Sequence, residues 1–220
     1  MLAFRYFPQG QGATVGFYGD RIFPYLLDWG MAGEPFSSYR RSLLSDVSGD
    51  VLEIGFGTGL NLAYYPDTVR SLTVIDPNPG VHRLAQKRLE TASMPVIEKQ
   101  IGGEALPFDA NQFDSVVSTW TLCSIPDVDQ AIAEAHRVLK PGGKFYFIEH
   151  GRSDRPGVQK WQDRITPLQK KIADGCHLNR PIRDLVAKEF SEITLKTYIA
   201  RTLPEVVGYF YEGIAVKGAV

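Results

Sequence analysis

Several features that would place a chain in a specialised class are missing from this sequence of 220 residues. Two cysteines are too few for a disulfide framework, so a reducing cytoplasm is the expected location. A net charge of −1 gives no reason to expect nucleic acid as a partner. No stretch approaches the ~20 apolar residues that a membrane-spanning helix needs, which leaves only weak attachment to a membrane surface open. With 44% hydrophobic and 22% charged residues, the chain is expected to form an ordinary globular domain.

A further absence concerns the glycine-rich segment at 51–60, which reads VLEIGFGTGL. The dinucleotide-binding fingerprint needs a third glycine three positions after the second, and Leu60 stands there instead. The mostly apolar run 51–54 is still typical of a buried parallel strand that ends in a tight turn. Glycines in that turn would permit positive φ and close approach of a ligand. We expect a helix to begin near Leu60 with its amino end facing that ligand.

Asp76 is the second landmark of the sequence. It ends the apolar run 72–76, which predicts a second strand, and it follows Gly55 by about 20 positions. In doubly wound folds an acidic residue at this distance binds the ribose hydroxyls of a nucleotide. The alternative is that Asp76 caps the helix expected to begin near Pro79. Position and context favour ribose binding.

Strand and helix patterns alternate along most of the chain. Further strands are expected at 96–100, 115–120 and 144–148, and the runs 193–199 and 209–216 are expected to pair antiparallel at the sheet edge. A helix is expected at 128–139, and another at 158–174 that Pro167 kinks or splits. This alternation indicates an α/β fold with its ligands at the carboxyl ends of the strands.

Two motifs carry a resemblance to a known family. The spacing G-x-G-x-G, with Glu53 two positions before the first glycine, resembles motif I of the class I S-adenosylmethionine (SAM) methyltransferases. The turn at 106–108, LPF, resembles their adenine-binding segment, which often reads G-D-A-E-x-L-P-F. Gly102 stands where that segment has its aspartate, so Glu104 and neighbouring amides would have to bind the base. The alternative for Glu104 is a solvated turn residue.

This resemblance implies both a fold and a cofactor. The fold would be Rossmann-like, with a seven-stranded, mostly parallel sheet, an antiparallel edge strand, helices on both faces and an N-terminal helical lid. The cofactor would be SAM, with S-adenosylhomocysteine as its product. The residues expected to bind it are Tyr18, Glu53, Gly55, Gly57, Gly59, Asp76, Pro77, Asn78, Gly103, Glu104, Ala105 and Thr119.

Other segments resemble one branch of the family, the alkyl-thiol S-methyltransferases and their bacterial relatives. These segments include TLCS at 121–124, FYFIEH at 145–150 and DGCHLNR at 174–180. The resemblance implies a small-molecule acceptor, with a thiol or sulfide first. An amine, phospholipid headgroup or quinone precursor remains an alternative acceptor, and a SAM-binding module without catalysis is a third reading. Mammalian members carry an N-terminal membrane anchor, whereas a short soluble extension is expected here.

The domain organisation and the acceptor side follow from the same reading. Residues 1–46 are expected to form an N-terminal extension with lid helices, and residues 47–220 the SAM-binding domain. Aromatic and sulfur side chains of the lid and of the strand ends are expected to contact the acceptor: Tyr25, Trp29, Trp120, Cys123 and Trp161. The structural alternatives are an amphipathic helix that caps the core for Tyr25 and Trp29, a core aromatic residue for Trp120 and a buried small apolar residue for Cys123.

Two residues are candidates for proton transfer. His150 ends the fifth expected strand, on the ligand side, and Asp174 follows the long helix. A structural hydrogen bond is the alternative for His150. No metal is expected, because Asp174, Cys176 and His177 lack a further ligand at suitable spacing. The oligomeric state is left open.

Overall fold

A single sheet organises the fold in the computed structural model, which describes residues 16–219. Its seven strands lie in the order β3-β2-β1-β4-β5-β7-β6. Strands β1 to β5 run parallel, and β7 is antiparallel to both of its neighbours. The strands are Gly49–Ile54 (β1), Val69–Ile75 (β2), Val96–Lys99 (β3), Phe113–Thr119 (β4), Leu139–His150 (β5), Glu192–Ile199 (β6) and Tyr209–Val216 (β7). The expected Rossmann-like methyltransferase topology and its antiparallel closing pair are confirmed.

Helices cover both faces of this sheet. They are Phe17–Arg21 (α1), Phe23–Met31 (α2), Phe36–Leu44 (α3), Pro79–Leu89 (α4), Val128–Val138 (α5), Pro156–Ile172 (α6), Ile182–Val186 (α7) and Glu205–Gly208 (α8). Within residues 16–219, no helix combines the length and the apolar character needed to cross a bilayer.

Alternating side chains on the strands divide the core into two layers. On β5, Phe145 and Phe147 point into one cluster with residues of α5 and α7, while Tyr146 and Ile148 point into the other with residues of α3. These four side chains are at most 1% exposed. The central strands are therefore buried on both faces, which explains why their sequences read as continuous apolar runs.

The segment after the glycine turn differs from the expectation. A helix was expected from Leu60, but the structure has only a 3-10 turn at Leu62–Tyr64. The side chains of Asn61 and Tyr65 both donate hydrogen bonds to Glu53, which holds the segment against β1. Pro66 then ends it. The turn's own N–H groups, rather than the amino end of a long helix, face the strand ends.

A proline explains one other boundary, and a second proline lies inside a continuous helix. Pro24 lies in the first turn of α2 and separates it from α1, where its missing N–H costs nothing. Pro167 was expected to kink or split its helix, but α6 runs through it without interruption. The segment 140–144, KPGGK, was expected to end a helix and instead forms the start of β5, with Gly142 at φ +76°.

Candidate active site

The glycine turn joins β1 to the 3-10 turn at the carboxyl end of the sheet. Gly55, Gly57 and Gly59 all have positive φ, at 78°, 56° and 79°. A Cβ on Gly55 would lie 2.0 Å from Thr121 Oγ1, so only glycine lets the loop after β4 pack against this turn. The turn lies between β1 and β4, where the strand order reverses and where ligands of open α/β sheets bind.

Asp76 lies immediately after β2 and faces this turn. Its Oδ2 accepts a hydrogen bond from Gly57 N, and its Oδ1 accepts one from Asn78 N, both at 2.9 Å. Burial raises the pKa of Asp76, and these two backbone N–H groups oppose that rise. Each carboxylate oxygen keeps a free acceptor site. The carboxylate is therefore held in place and can accept from two ribose hydroxyls.

The Glu53 side chain supports the glycine turn through buried hydrogen bonds. It is 1% exposed, and its two oxygens accept hydrogen bonds of 2.8 Å from Asn61 Nδ2 and Tyr65 Oη. Burial raises its pKa to about 8 despite these bonds. Asn61 also donates to Thr119 Oγ1 at 3.0 Å. Glu53 is thus connected through Asn61 to Thr119, a connection that motif spacing alone does not reveal.

Arg40 on α3 ties this network to the lid. Its guanidinium donates to Asn61 Oδ1 at 3.0 Å and to Met31 O, the last residue of α2, at 2.7 Å. Its Cζ lies 4.9 Å from the centroid of the Trp120 ring, a cation–π distance. Sequence reasoning missed both Arg40 and Asn61. A polar residue inside an otherwise amphipathic helix was the only signal for Arg40.

Asn78, Pro77 and Asp174 surround the expected ribose position. Asn78 caps α4 through a 2.8 Å bond from Gly80 N. Its Nδ2 also donates to Gly19 O at 3.0 Å and to Asp174 Oδ2 at 3.4 Å. Through these hydrogen bonds the Asn78 side chain, which is 4% exposed, joins three segments of the chain. Pro77 is exposed beside it.

The expected adenine segment lies next to the end of β1. A Cβ on Gly103 would approach Ile54 Cγ2 to 3.0 Å and Ile125 Cδ1 to 3.5 Å, so the chain passes close above the core here. Glu104 is half-buried and Ala105 is exposed. Leu106 N is held by Glu134 Oε2 at 2.8 Å, which fixes the segment to α5.

Helices α1 and α2 lie over these elements as the expected lid. Tyr18 Oη donates to Ile172 O at the end of α6, at 2.9 Å. A Cβ on Gly80 would lie 2.2 Å from Asp20 O, so glycine allows α1 to cross the start of α4. Asp28 accepts from Thr58 Oγ1 at 2.6 Å and pairs with Arg88 at 2.8 Å. Helix α2 is thus bonded directly to the glycine turn and to α4.

The expected acceptor residues do not converge. Tyr25, Trp29 and Trp161 are 62%, 85% and 55% exposed, and within residues 16–219 none of them pairs with the Trp120 ring. Trp120, at φ +52°, packs edge-on against Phe36 at 5.5 Å. Its buried Nε1 has no hydrogen-bond partner in the described part of the chain. Of the aromatic residues expected to line the acceptor space, only Trp120 lies at a strand end.

Cys123 and His150 belong to a cluster that the sequence did not reveal. His150 Nε2 lies 2.9 Å from Cys176 Sγ, and the reactive atoms of Cys123, His150 and Cys176 all lie within 4.8 Å of one another. Burial acts to lower the pKa of His150, but the nearby Cys123 thiol and Glu149 raise it overall. Contact with Cys123 lowers the pKa of Cys176. Asp174, two residues before Cys176, is exposed at φ +45°.

Comparison with known proteins agrees with this geometry. A family model described as a methyltransferase domain matches residues 52–147. Phosphoethanolamine N-methyltransferase 2 of Haemonchus contortus, solved with S-adenosylhomocysteine, superposes with a TM-score of 0.70 at 16% identity over 91% of this chain and 60% of its own. The matched domain and the superposition show the class of the fold, that of the class I SAM-dependent methyltransferases.

Closer relatives define the family within that class. Thiol S-methyltransferase TMT1B of Rattus norvegicus is 35% identical over 190 residues, covering 79% of this chain and 77% of its own length. Thiol S-methyltransferase TMT1A of Homo sapiens is 34% identical over 197 residues, covering 84% and 80%. The chain belongs to this TMT1 family of SAM-dependent methyltransferases.

Proposed function

We propose that this methyltransferase transfers the methyl group of SAM to the sulfur of a small thiol. The identity to thiol S-methyltransferases over most of both chains carries the proposal. The unpaired, reduced cysteines Cys123 and Cys176 support a reducing cytoplasm as the place of reaction. We further propose that residues 1–46 act as extension and lid, and residues 47–220 as the SAM-binding domain.

The donor would lie across the carboxyl ends of β1, β2 and β4. In this proposal the ribose hydroxyls donate to Asp76, and the adenine lies against Gly103, Glu104 and Ala105. The methionine part passes the glycine turn near Thr119, under the lid residue Tyr18. This order follows the sheet, since these residues stand at or beside neighbouring strand ends.

The reaction is a direct displacement. The thiolate sulfur attacks the methyl carbon, a new S–CH₃ bond forms, and the bond from that carbon to the sulfonium breaks. The electron pair stays on the donor sulfur and gives neutral S-adenosylhomocysteine. Alignment of the two sulfurs and exclusion of water can lower the barrier by about 7–11 kcal/mol. Because a free thiol has a pKa of about 8.5, its proton must leave first, and His150 and Asp174 are the proposed acceptors.

Titration with SAM followed by mass detection of products tests this function. Thiols, amines and phenols are offered separately, and we expect methylated thiols as the main product. Methylated amines or phenols in their place would give the alternative acceptor class, and binding of SAM without product would indicate a binding module. Asp76→Asn should weaken SAM binding about 100-fold, because hydrogen bonds to a charged carboxylate contribute about 1.5–3 kcal/mol each. The exposed Asp67→Asn is the matched control.

The proton acceptor needs a separate experiment. We expect Asp174→Asn to shift the pH dependence of kcat/KM toward higher pH if Asp174 assists ionisation of the thiol. Asn179→Asp leaves Asp174 in place and serves as a control for surface charge in the same loop. An unchanged pH profile in Asp174→Asn removes Asp174 from the mechanism.

A further inference from the structure

Cys123, His150 and Cys176 come from three separate parts of the fold. Cys123 follows β4, His150 ends β5, and Cys176 lies in the turn after α6. Their Sγ and imidazole nitrogen atoms nevertheless lie within 4.8 Å of one another. Cys123 and Cys176 are 2% and 5% exposed. Three soft or borderline ligand atoms therefore converge in a buried space beside the donor site.

The hydrogen bonds of this cluster are weak, since Cys123 Sγ lies 3.6 Å from both Trp120 O and Ser124 Oγ. His150 Nε2 contacts Cys176 Sγ, but the buried His150 Nδ1 has no partner among residues 16–219. Thiols are weak hydrogen-bond donors and weak acceptors, so they are poor partners for a buried imidazole. A cation bound by the two sulfurs and the imidazole would use all three groups at their full strength.

Polar groups surround the two sulfurs. The Arg180 guanidinium donates to the carbonyls of Leu122 and Ile125, on either side of Cys123 in the same loop. Gln169 Nε2 donates toward Cys176 Sγ at 3.7 Å. Ligand sulfurs of bound metals are commonly supported by such outer groups.

We propose that Cys123, His150 and Cys176 bind a zinc-type divalent cation that keeps its fourth position open for the acceptor's sulfur. Two thiolates and one imidazole are a known ligand set for catalytic zinc. Bond lengths of about 2.3 Å to sulfur and 2.0–2.1 Å to nitrogen place tetrahedral ligand atoms roughly 3.5–3.8 Å apart. The cluster reaches that spacing with side-chain movements of about 1 Å.

The inference rests on the proposed thiol function and changes its first step. The acceptor thiol would release its proton to water as its sulfur binds the metal. The metal-bound thiolate sulfur then forms the bond to the methyl carbon, and the donor sulfur keeps the electron pair of the broken bond. In this arrangement His150 is a ligand and does not act as the base.

For a metal, sequence reasoning weighed only Asp174, Cys176 and His177, which are close together in the chain, and expected none. The His177 ring instead contacts Cys123 O at 3.1 Å. Cys123 and His150 lie 53 and 26 positions before Cys176, so their convergence depends on the order of β4 and β5 in the sheet.

Titration of the reduced, metal-free protein with Co²⁺ tests the site without turnover. We expect one Co²⁺ per chain, thiolate-to-cobalt charge-transfer absorption in the near ultraviolet, and displacement by one equivalent of Zn²⁺. Cys123→Ser and Cys176→Ser should each reduce that absorption by about half and weaken binding by more than the 10–100-fold typical of outer-sphere changes. Gln169→Leu should weaken binding about 10-fold. His136→Gln, on α5, is the control that should change nothing.

A second titration tests the open position. With S-adenosylhomocysteine present to prevent reaction, addition of a small thiol should increase the charge-transfer absorption, whereas the corresponding alcohol should not. Variants that fail to bind SAM are set aside as misfolded, and alkylation of the wild-type cysteines, with and without Zn²⁺, then serves instead, with protection of both thiols expected.

The outcomes separate the two proposals. Absence of Co²⁺ binding by protein with two reduced thiols overturns the metal site, as does formation of a Cys123–Cys176 disulfide under the same reducing conditions. If that metal-free protein still methylates thiols, the proposed function stands. Metal binding without any response to the thiol overturns the open position. Metal binding with a thiol response but no methylated product overturns the function alone.

Discussion

The donor side and the acceptor side of this active site are built in different ways. The expected donor side consists of strand ends and turns, where Gly57 N donates to Asp76 after β2 and Asn61 Nδ2 donates to Thr119 at the end of β4. The expected acceptor side relied on helix residues, and Tyr25 and Trp29 on α2 are largely exposed. The hydrogen-bond register of the sheet fixes the position of a strand end. The direction of a side chain on a helix depends on how that helix packs against the rest of the fold. The donor side is therefore the rigid half of the site.

Among the variants considered, we expect Gly55→Ala to have the largest effect, because it changes the glycine turn on the donor side. An alanine at φ +78° costs about 1–2 kcal/mol, and its Cβ would meet Thr121 at 2.0 Å, adding about 1–3 kcal/mol. We expect the free energy of unfolding to fall by about 3 kcal/mol and SAM binding to be lost. Chemical denaturation and calorimetric titration measure the two effects.

Gly49→Ala is the matched control for that variant. Gly49 starts the same strand at φ +80°, and its Cβ would meet Asp114 Oδ2 at 2.4 Å, at the far end of the sheet. We expect a similar loss of stability with SAM affinity retained. Equal loss of affinity in both variants would show that the turn is sensitive to strand stability in general and not to its own shape.

Sequence alone could place the glycine turn and Asp76 at strand ends because these positions are tied to local rules. A strand, a turn with positive φ and an acid about 20 positions later are all readable from nearby residues. The cluster of Cys123, His150 and Cys176 depends on strand order and on where α6 ends, which no local pattern encodes. The exposure of Trp161 and Trp29 could not be predicted for a related reason, since an amphipathic pattern does not say which aromatic residue turns outward.

Glu53→Gln should change how the free energy of unfolding of the protein depends on pH. A carboxyl whose folded pKa is about 8 binds more protons when folded than when unfolded, where its pKa is near 4.5. Its contribution to stability is therefore present at about pH 5 and is lost as the pH rises toward 8. Between these pH values, we expect the free energy of unfolding of the wild type to fall by about 3–5 kcal/mol relative to that of Glu53→Gln.

Denaturation curves at several pH values measure this difference. Asp76 and Glu149 also have raised pKa values from burial, so both proteins should lose stability with pH and only their difference reports Glu53. The exposed Glu90→Gln is the control and should track the wild type at every pH. Parallel curves for Glu53→Gln and the wild type would mean that Glu53 is ionised at neutral pH inside the fold.

Asp28→Asn should loosen the lid without loosening the sheet. The Asp28 carboxylate holds α2 to Thr58 in the glycine turn and to Arg88 on α4, and its side chain is 29% exposed. A partly exposed pair of this kind contributes about 1 kcal/mol or less. We expect little change in global stability and a several-fold faster release of S-adenosylhomocysteine, measured by stopped flow. Asp129→Asn, which breaks the pair with Lys188 on another surface, should leave release unchanged.

We expect Trp29→Ala to have the smallest effect. The variant distinguishes a helix α2 that keeps its position during the reaction from one that turns toward the acceptor. The Trp29 side chain is 85% exposed, so its removal should change the free energy of unfolding by less than about 0.5 kcal/mol. If α2 keeps its position during the reaction, KM for a small thiol should also stay within about twofold, and Trp161→Ala should behave alike. A large rise in KM with unchanged SAM affinity would instead show that α2 turns inward when the acceptor binds, and that the expected contact of Trp29 with the acceptor forms only then.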